Sequence, residues 1–351
     1  MDVEKVIKKK DLHKFIDFLR IHNVVIAPTR QGGGTSRYCQ PTFAAINGLE
    51  DLAVDYESSM ISPKGILFPD NQELYGFEKK PEGICLKDSA VVWEEERVLF
   101  GLHPCDVTAL LRLDKVLMEG GTEDQSYRAR RDRTTVIGMT CTRVKHSCFC
   151  SMVGAGPDID AGYDLLMTDL GDRYFCRVGS DKGKSLISAE YFRDAEEEDK
   201  RARRNELDRI REELPGNLDL QTLCDRMPNA YDHHLWDEFS DRCLTCGACN
   251  MVCPTCHCFS IIDKATSDRK KGTRVLVWDS CHFERFARTS GDLHIREAKT
   301  SRFKHRLYDK FYYDVRRSGV IFCVGCGRCL DFCPGHIDIR EALRKLEEVQ
   351  E

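Results

Sequence analysis

The stretch CLTCGACNMVCP, Cys243 to Pro254, returns in altered form as CVGCGRCLDFCP, Cys323 to Pro334. Both fit C-x2-C-x2-C-x3-C-P, the ligand run of two-cluster bacterial ferredoxins. A [4Fe–4S] cubane has four iron corners, and each needs one thiolate. A tight loop with a cysteine at every third residue wraps three of them. Gly247, Ala248, Gly325 and Gly327 are small enough to let backbone N–H groups approach the sulfides. In such runs the fourth cysteine ligates the other cluster. The expected ligands are therefore Cys243, Cys246, Cys249 and Cys333 for cluster A, and Cys323, Cys326, Cys329 and Cys253 for cluster B. Pro254 and Pro334 turn the chain away after the ligand. Zinc is the competing reading, since C-x2-C pairs also bind zinc. A zinc site needs only one or two such pairs, so two complete runs, each closing in Cys-Pro, favour iron and sulfide.

The chain holds 19 cysteines in 351 residues. It is too long to be a small disulfide-stapled domain, and metal ligation accounts better for the excess. Cys105 follows the apolar run RVLFGLH, and Cys141 follows TTVIGMT. If both runs are parallel strands of one sheet, both cysteines stand outside its carboxyl edge, where α/β sheets place ligands. Cys148 and Cys150, in the step CFC, lie on the loop after Cys141. Alternate residues of an extended backbone share a side, so Cys105, Cys141, Cys148 and Cys150 form the preferred ligands of a third [4Fe–4S] cluster, C. Asp106 or His103 is a substitute for one of them. The competing reading is four small buried hydrophobes. Cys256, Cys258 and Cys281 are one thiol short of a cubane. His257 or His282 can complete a site there, but packing beside the clusters is preferred. Cys39, Cys85, Cys176 and Cys224 stand alone and read as core or surface thiols.

The expected fold class is α+β. Residues 1–190 read as a mixed α/β domain with the extra candidate site, 191–231 as a charged helical linker, and 232–351 as a mainly helical dicluster domain. Strands are expected at Asn23–Pro28, Ala90–Glu94, Arg97–His103, Thr134–Thr140, Asp164–Asp169 and Thr273–Trp278. Val107–Met118 has helical leucine spacing, with Asp106 as its N-cap. Phe192–Pro215 reads as a solvated helix and Asp338–Glu351 as an amphipathic one. Gly32–Gly34 lack the strand–helix frame of a nucleotide loop. The basic residues between Lys299 and Arg317, with Tyr308, Tyr312 and Tyr313, suggest a docking face for an acidic partner or a helix packed over the clusters, rather than an RNA surface.

Lys and Arg total 53 against 58 Asp and Glu, a formal charge of −5. That balance gives no sign of nucleic acid or anionic membrane as a partner. No apolar run approaches the ~20 residues of a membrane span, and the N-terminus MDVEKVIKKKDLHKF lacks the apolar stretch of a signal peptide. The expected location is the cytoplasm.

With these motifs in view, the chain resembles a family of iron–sulfur electron-transfer subunits. Its typical members are the iron–sulfur A component of anaerobic sulfite reductase and the beta subunit of cytosolic sulfhydrogenase-type nickel–iron hydrogenases. The resemblance is carried by VCPTCHCF at Val252–Phe259, VWDSCHFE at Val277–Glu284, the run from Cys323, LFGLHPCD at Leu99–Asp106, CFC at Cys148–Cys150 and DLLMTDLGDRY at Asp164–Tyr174. It covers most of the chain after about Ser62. The ferredoxin runs are common to many families; the N-terminal matches and WDSC are more selective. One departure stands out: where a motif like HNPRPTK is expected, the chain has DLHIREAKTSRFKHR, Asp292 to Arg306. Lys299 and Arg302 keep its basic character.

The resemblance implies a non-catalytic relay. Its expected partners are a flavin-containing subunit linked to NAD(P)H or ferredoxin, and a hydrogenase, sulfite reductase or heterodisulfide reductase-type subunit. The alternatives are a catalytic iron–sulfur reductase acting on sulfite, polysulfide or heterodisulfide, and an iron–sulfur sensor. The absence of a flavin or nicotinamide motif and of a nucleophile constellation favours the relay.

Overall fold

The computed structural model describes residues 3–29, 40–88, 95–119, 121, 123–216, 218–291 and 293–349. Gly32–Gly34, Cys39 and the expected strand Ala90–Glu94 lie outside the described residues. The strands are β1 Glu4–Lys8, β2 Val24–Thr29, β3 Thr42–Ala45, β4 Gln72–Lys80, β5 Gly83–Asp88, β6 Arg97–Leu102, β7 Thr134–Met139, β8 Leu165–Asp169, β9 Arg173–Val178, β10 Phe192–Asp194, β11 Phe259–Ala265 and β12 Lys271–Trp278.

Among the described residues, eight strands form one sheet in the order β10-β1-β9-β8-β7-β6-β2-β3. Its centre, β2, β6, β7 and β8, is parallel. These strands are almost continuously apolar because both faces are covered. Val98, Phe100 and Ile137 point into one core, and Leu99, Leu102 and Val136 into the other. The parallel pairing of β6 with β7 that the cysteine argument requires is present, with Leu99 opposite Val136.

The helix after β6 begins earlier than its leucine spacing suggests. It spans Pro104–Leu117, with His103 as N-cap in extended conformation. Proline suits the first helical position, where its missing N–H has no partner to lose. Asp106 is therefore not the cap; it lies inside the first turn and is buried. The charged stretch opens as β10, paired with β1, and becomes a helix over Glu197–Glu213, started by a capping box of Glu196 and Asp199. The last helix is Ile339–Glu348.

A second, antiparallel sheet runs β11-β12-β4-β5. Thr273 of β12 faces Gly76 of β4, and Leu276 of β12 faces Ile261 of β11. Residues 232–351 therefore carry two strands, β11 and β12, beside their helices and are not clearly mainly helical. The reason is that β12 buries Val275 and Leu276 while completing the edge of the β4–β5 hairpin. Trp278 fastens the junction: its Nε1–H donates to the Phe68 carbonyl at 3.0 Å, and its ring stacks on Phe68. No helix among the described residues is long and apolar enough to cross a membrane.

Candidate metal centres

The two cysteine runs fold alike. Each leads into a one-turn helix, Ala248–Met251 or Arg328–Asp331, entered through a left-handed glycine: Gly247 at φ 73° and Gly327 at φ 74°. Such φ values favour glycine for want of a Cβ. The second run has a further reason for small residues. A Cβ on Gly325 would collide with the Phe149 carbonyl, and one on Gly327 with that of Ser147. The CFC loop is seated there, and the Phe149 N–H donates to the Gly325 carbonyl at 2.8 Å. Gly327→Ala is thus expected to cost about 1–2 kcal/mol from the left-handed backbone alone, with the collision in addition. A lowered thermal midpoint and reduced iron per chain check this; an unchanged midpoint would show that the seat is not tight.

Backbone donors surround the thiols. Thr245 N–H reaches Cys243 Sγ, and Ile337 N–H reaches Cys333 Sγ, each at 3.4 Å. The N–H groups of Gly325 and Arg328 act in the same way on Cys323 and Cys326. Such donors stabilise a thiolate and help set a cluster's potential. Burial opposes them. It pushes the Cys249 and Cys323 thiols up to about 12 and Cys329 to about 11. Ligating iron at these positions therefore releases protons.

The fourth cysteine of each run has the other run's thiols as electrostatic neighbours. Cys253 acts on Cys323, Cys326 and Cys329, while Cys333 acts on Cys243 and Cys249. Cys243, Cys246, Cys249 and Cys333 line one cavity, together with Cys329 of the second run, Arg306, His282 and Gly335. Among the described residues, no three Cys, His, Asp or Glu side chains converge on a single-ion site. A cubane asks for a different arrangement, thiols set around a volume with one at each iron. The residues fit such a group: four thiols to a set, glycine-lined loops and N–H donors aimed at sulfur.

The candidate set C is also brought together. Burial, then Cys150 and Cys148, raise the Cys141 thiol well above its ordinary range, and Cys150 is pushed up to about 12 by burial and then by Cys148. Cys105 is raised by burial, then by Asp106, Cys326 and Cys141. Cys326 also acts on Cys150, so set C adjoins the second run. The two substitute ligands are engaged elsewhere. His103 stacks on Tyr56 with centroids 4.0 Å apart, and burial lowers it to about 4. Asp106 is bound in two-pronged fashion by the guanidinium of Arg328, at 2.7 and 2.8 Å.

Cys256, Cys258 and Cys281 fall into two pairs with different partners. Cys256 acts first on Cys253, holding its thiol well below the ordinary range, and Cys281 acts first on Cys258, holding it at about 7. Asn250 Nδ2 donates to Cys281 Sγ at 3.1 Å. His257 Nδ1 meets the Thr255 carbonyl, and His282 Nδ1 lies 3.9 Å from Cys243 Sγ. Of the solitary cysteines, Cys85 is exposed, Cys176 buried and Cys224 half-buried.

Sequence reasoning misses the buried cations of the site. Arg328, inside the second run, also donates to the Ser59 carbonyl and hydroxyl. Lys64, Arg306 and Lys310 are buried near the thiols as well. The only signal is position: Arg328 between Cys326 and Cys329, and Arg306 and Lys310 in the basic segment that reads as a helix over the clusters. Burial of Arg302, Lys304, Arg306, Lys310 and Tyr308 agrees with packing there rather than with an RNA-facing surface.

A model of the 4Fe-4S dicluster domain family matches residues 242–337. The chain is 30% identical to the sulfhydrogenase 2 subunit beta of Pyrococcus furiosus over 311 residues, covering 88% of this chain and 89% of that protein. No solved structure matches it. An iron–sulfur protein with a 4Fe-4S dicluster domain, the chain belongs to the family of sulfhydrogenase beta-type iron–sulfur subunits.

Proposed function

We propose that this chain is the electron-transfer subunit of a cytoplasmic redox complex. It works between a flavoprotein, linked to NAD(P)H or ferredoxin, and a subunit holding a hydrogenase- or reductase-type terminal site. Cys243, Cys246, Cys249 and Cys333 hold cluster A; Cys323, Cys326, Cys329 and Cys253 hold cluster B; Cys105, Cys141, Cys148 and Cys150 hold cluster C. Bound [4Fe–4S] clusters supply reversible one-electron storage. The chain's own residues bury or half-bury all of these thiols but that of Cys246, aim N–H groups at sulfur and fix the sets relative to one another.

The observation that carries this reading is the seat of the CFC loop on the second run, with Cys105 and Cys150 in electrostatic range of Cys326. It supports a continuous series of thiol sets, A to B to C, rather than isolated structural sites. The half-exposed end of the series is set A, where Cys246 is open to solvent. The Pyrococcus relative is by name a hydrogenase subunit, which supports the need for partners.

The isolated chain is expected to accept electrons from dithionite without turning over sulfite, polysulfide, heterodisulfide or NAD(P)H. Anaerobic affinity purification should recover a flavin-containing subunit with it. Recovery as a free monomer with full reductase activity would refute the relay.

A further inference from the structure

Three cations lie in the dry interior around Cys253 and Cys256. Lys310 donates to Thr255 Oγ1 at 2.8 Å, and the charges acting on it are the thiols of Cys253, Cys256 and Cys323 and the guanidinium of Arg306. Arg306 sits among Cys249, Cys329, Cys256 and Cys253. Lys64 comes from the short helix Lys64–Leu67; it donates to the Cys256 carbonyl at 2.8 Å and lies 3.9 Å from the centre of the Trp278 ring. All three are at most 4% exposed. None is within ion-pair distance of a carboxylate among the described residues; the carboxylate that Lys310 acts on from farther off is that of the buried Asp314.

Burying a charge without a counter-charge is unfavourable, and three like charges in one place add mutual repulsion. The arrangement calls for an anion. A [4Fe–4S] cluster with four thiolates is one, and its negative charge grows by one on reduction. Fixed positive charge in a low-dielectric surrounding therefore favours the reduced form. The neighbouring sets are furnished differently. Next to set C, the charge of Arg328 is matched by Asp106. Set A opens to water at Cys246 and has Arg306 alone of the three in its lining.

We infer that Lys64 and Lys310, with Arg306 shared between sets A and B, set the potential of cluster B, raising it so that an electron entering the series comes to rest there. The inference rests on the ligand assignment of the proposed relay. In a titration the electron comes from dithionite, which is oxidised; no bond in the protein forms or breaks.

The test is an EPR-monitored redox titration of the anaerobically purified full chain. Cluster B is identified as the signal lost in Cys326→Ala. Lys310→Met and Lys64→Met should each lower its midpoint, changing the reduced-to-oxidised ratio about tenfold at fixed potential. The other signals should move much less, and Lys310→Arg should restore most of the shift. Variants with full iron and sulfide but unshifted midpoints overturn the inference, as does an equal shift in every cluster. If Lys310→Met fails to take up iron, Lys64→Met decides alone. Wild-type chain without acid-labile sulfide overturns the ligand assignment instead, which is a different failure.

Discussion

Arg328→Ala is expected to destabilise the protein by about 3–5 kcal/mol, the usual result of removing one partner from a fully buried ion pair. The guanidinium makes four hydrogen bonds, two to Asp106 and two to Ser59. Both side chains of the pair are 1% exposed. Truncation leaves the Asp106 carboxylate buried without its cation and releases the second ferredoxin run from the helix Pro104–Leu117. The readout is the anaerobic thermal or urea midpoint against wild type. Arg328→Met combined with Asp106→Leu removes both charges at similar volume and should recover much of the loss, because replacing a whole buried pair is far milder than breaking it. A change within about 0.5 kcal/mol for Arg328→Ala, the range of ordinary surface substitutions, would show that the pair does not fasten the two halves.

The second large effect concerns iron. With clusters at A, B and C, the full chain should carry about twelve irons and as many sulfides, and Cys141→Ser with Cys148→Ser should remove about four of each. The full chain is the right object for this measurement. Residues 1–190 on their own would lack β11 and β12, and with them the strand that pairs with β4. Iron and sulfide analysis with Mössbauer spectroscopy distinguishes the outcomes. A wild-type chain saturating at about eight irons, unchanged in the double variant, would return the four N-terminal thiols to packing.

How much of the fold and site is legible in the sequence follows from the range of the forces involved. The ferredoxin runs are local: spacing alone brings three thiols around one loop, and the paired left-handed glycines Gly247 and Gly327 follow from the same tightness. The strands β6 and β7 are legible because their residues are apolar on both faces. The helix start is misread because Asp106 looks like a cap, whereas Pro104 has already begun the turn and Asp106 is needed by a residue far along the chain. The pairing of β4 with β12 leaves no local trace, since neither strand's pattern names its partner. The buried cations are the hardest to read. A lysine such as Lys64 reads as solvated until the thiols and the Trp278 ring around it are in place.

The way distant segments complete one another has a consequence for how the protein is made. Lys64 and Cys256, hydrogen-bonded in the finished molecule, are 192 residues apart. At about 5–20 residues per second, a ribosome takes roughly 10–40 s to bridge that interval. During that time β4 has its hairpin partner β5 but not β12, and the first cysteine run, complete at Cys253, then waits until Cys333 has been translated. A nascent chain in this state offers thiols that oxygen or stray metal can claim before the intended iron arrives. Cell extracts that couple translation to cluster assembly under strict anaerobiosis should therefore yield more correctly loaded protein than reconstitution of a finished, air-exposed chain.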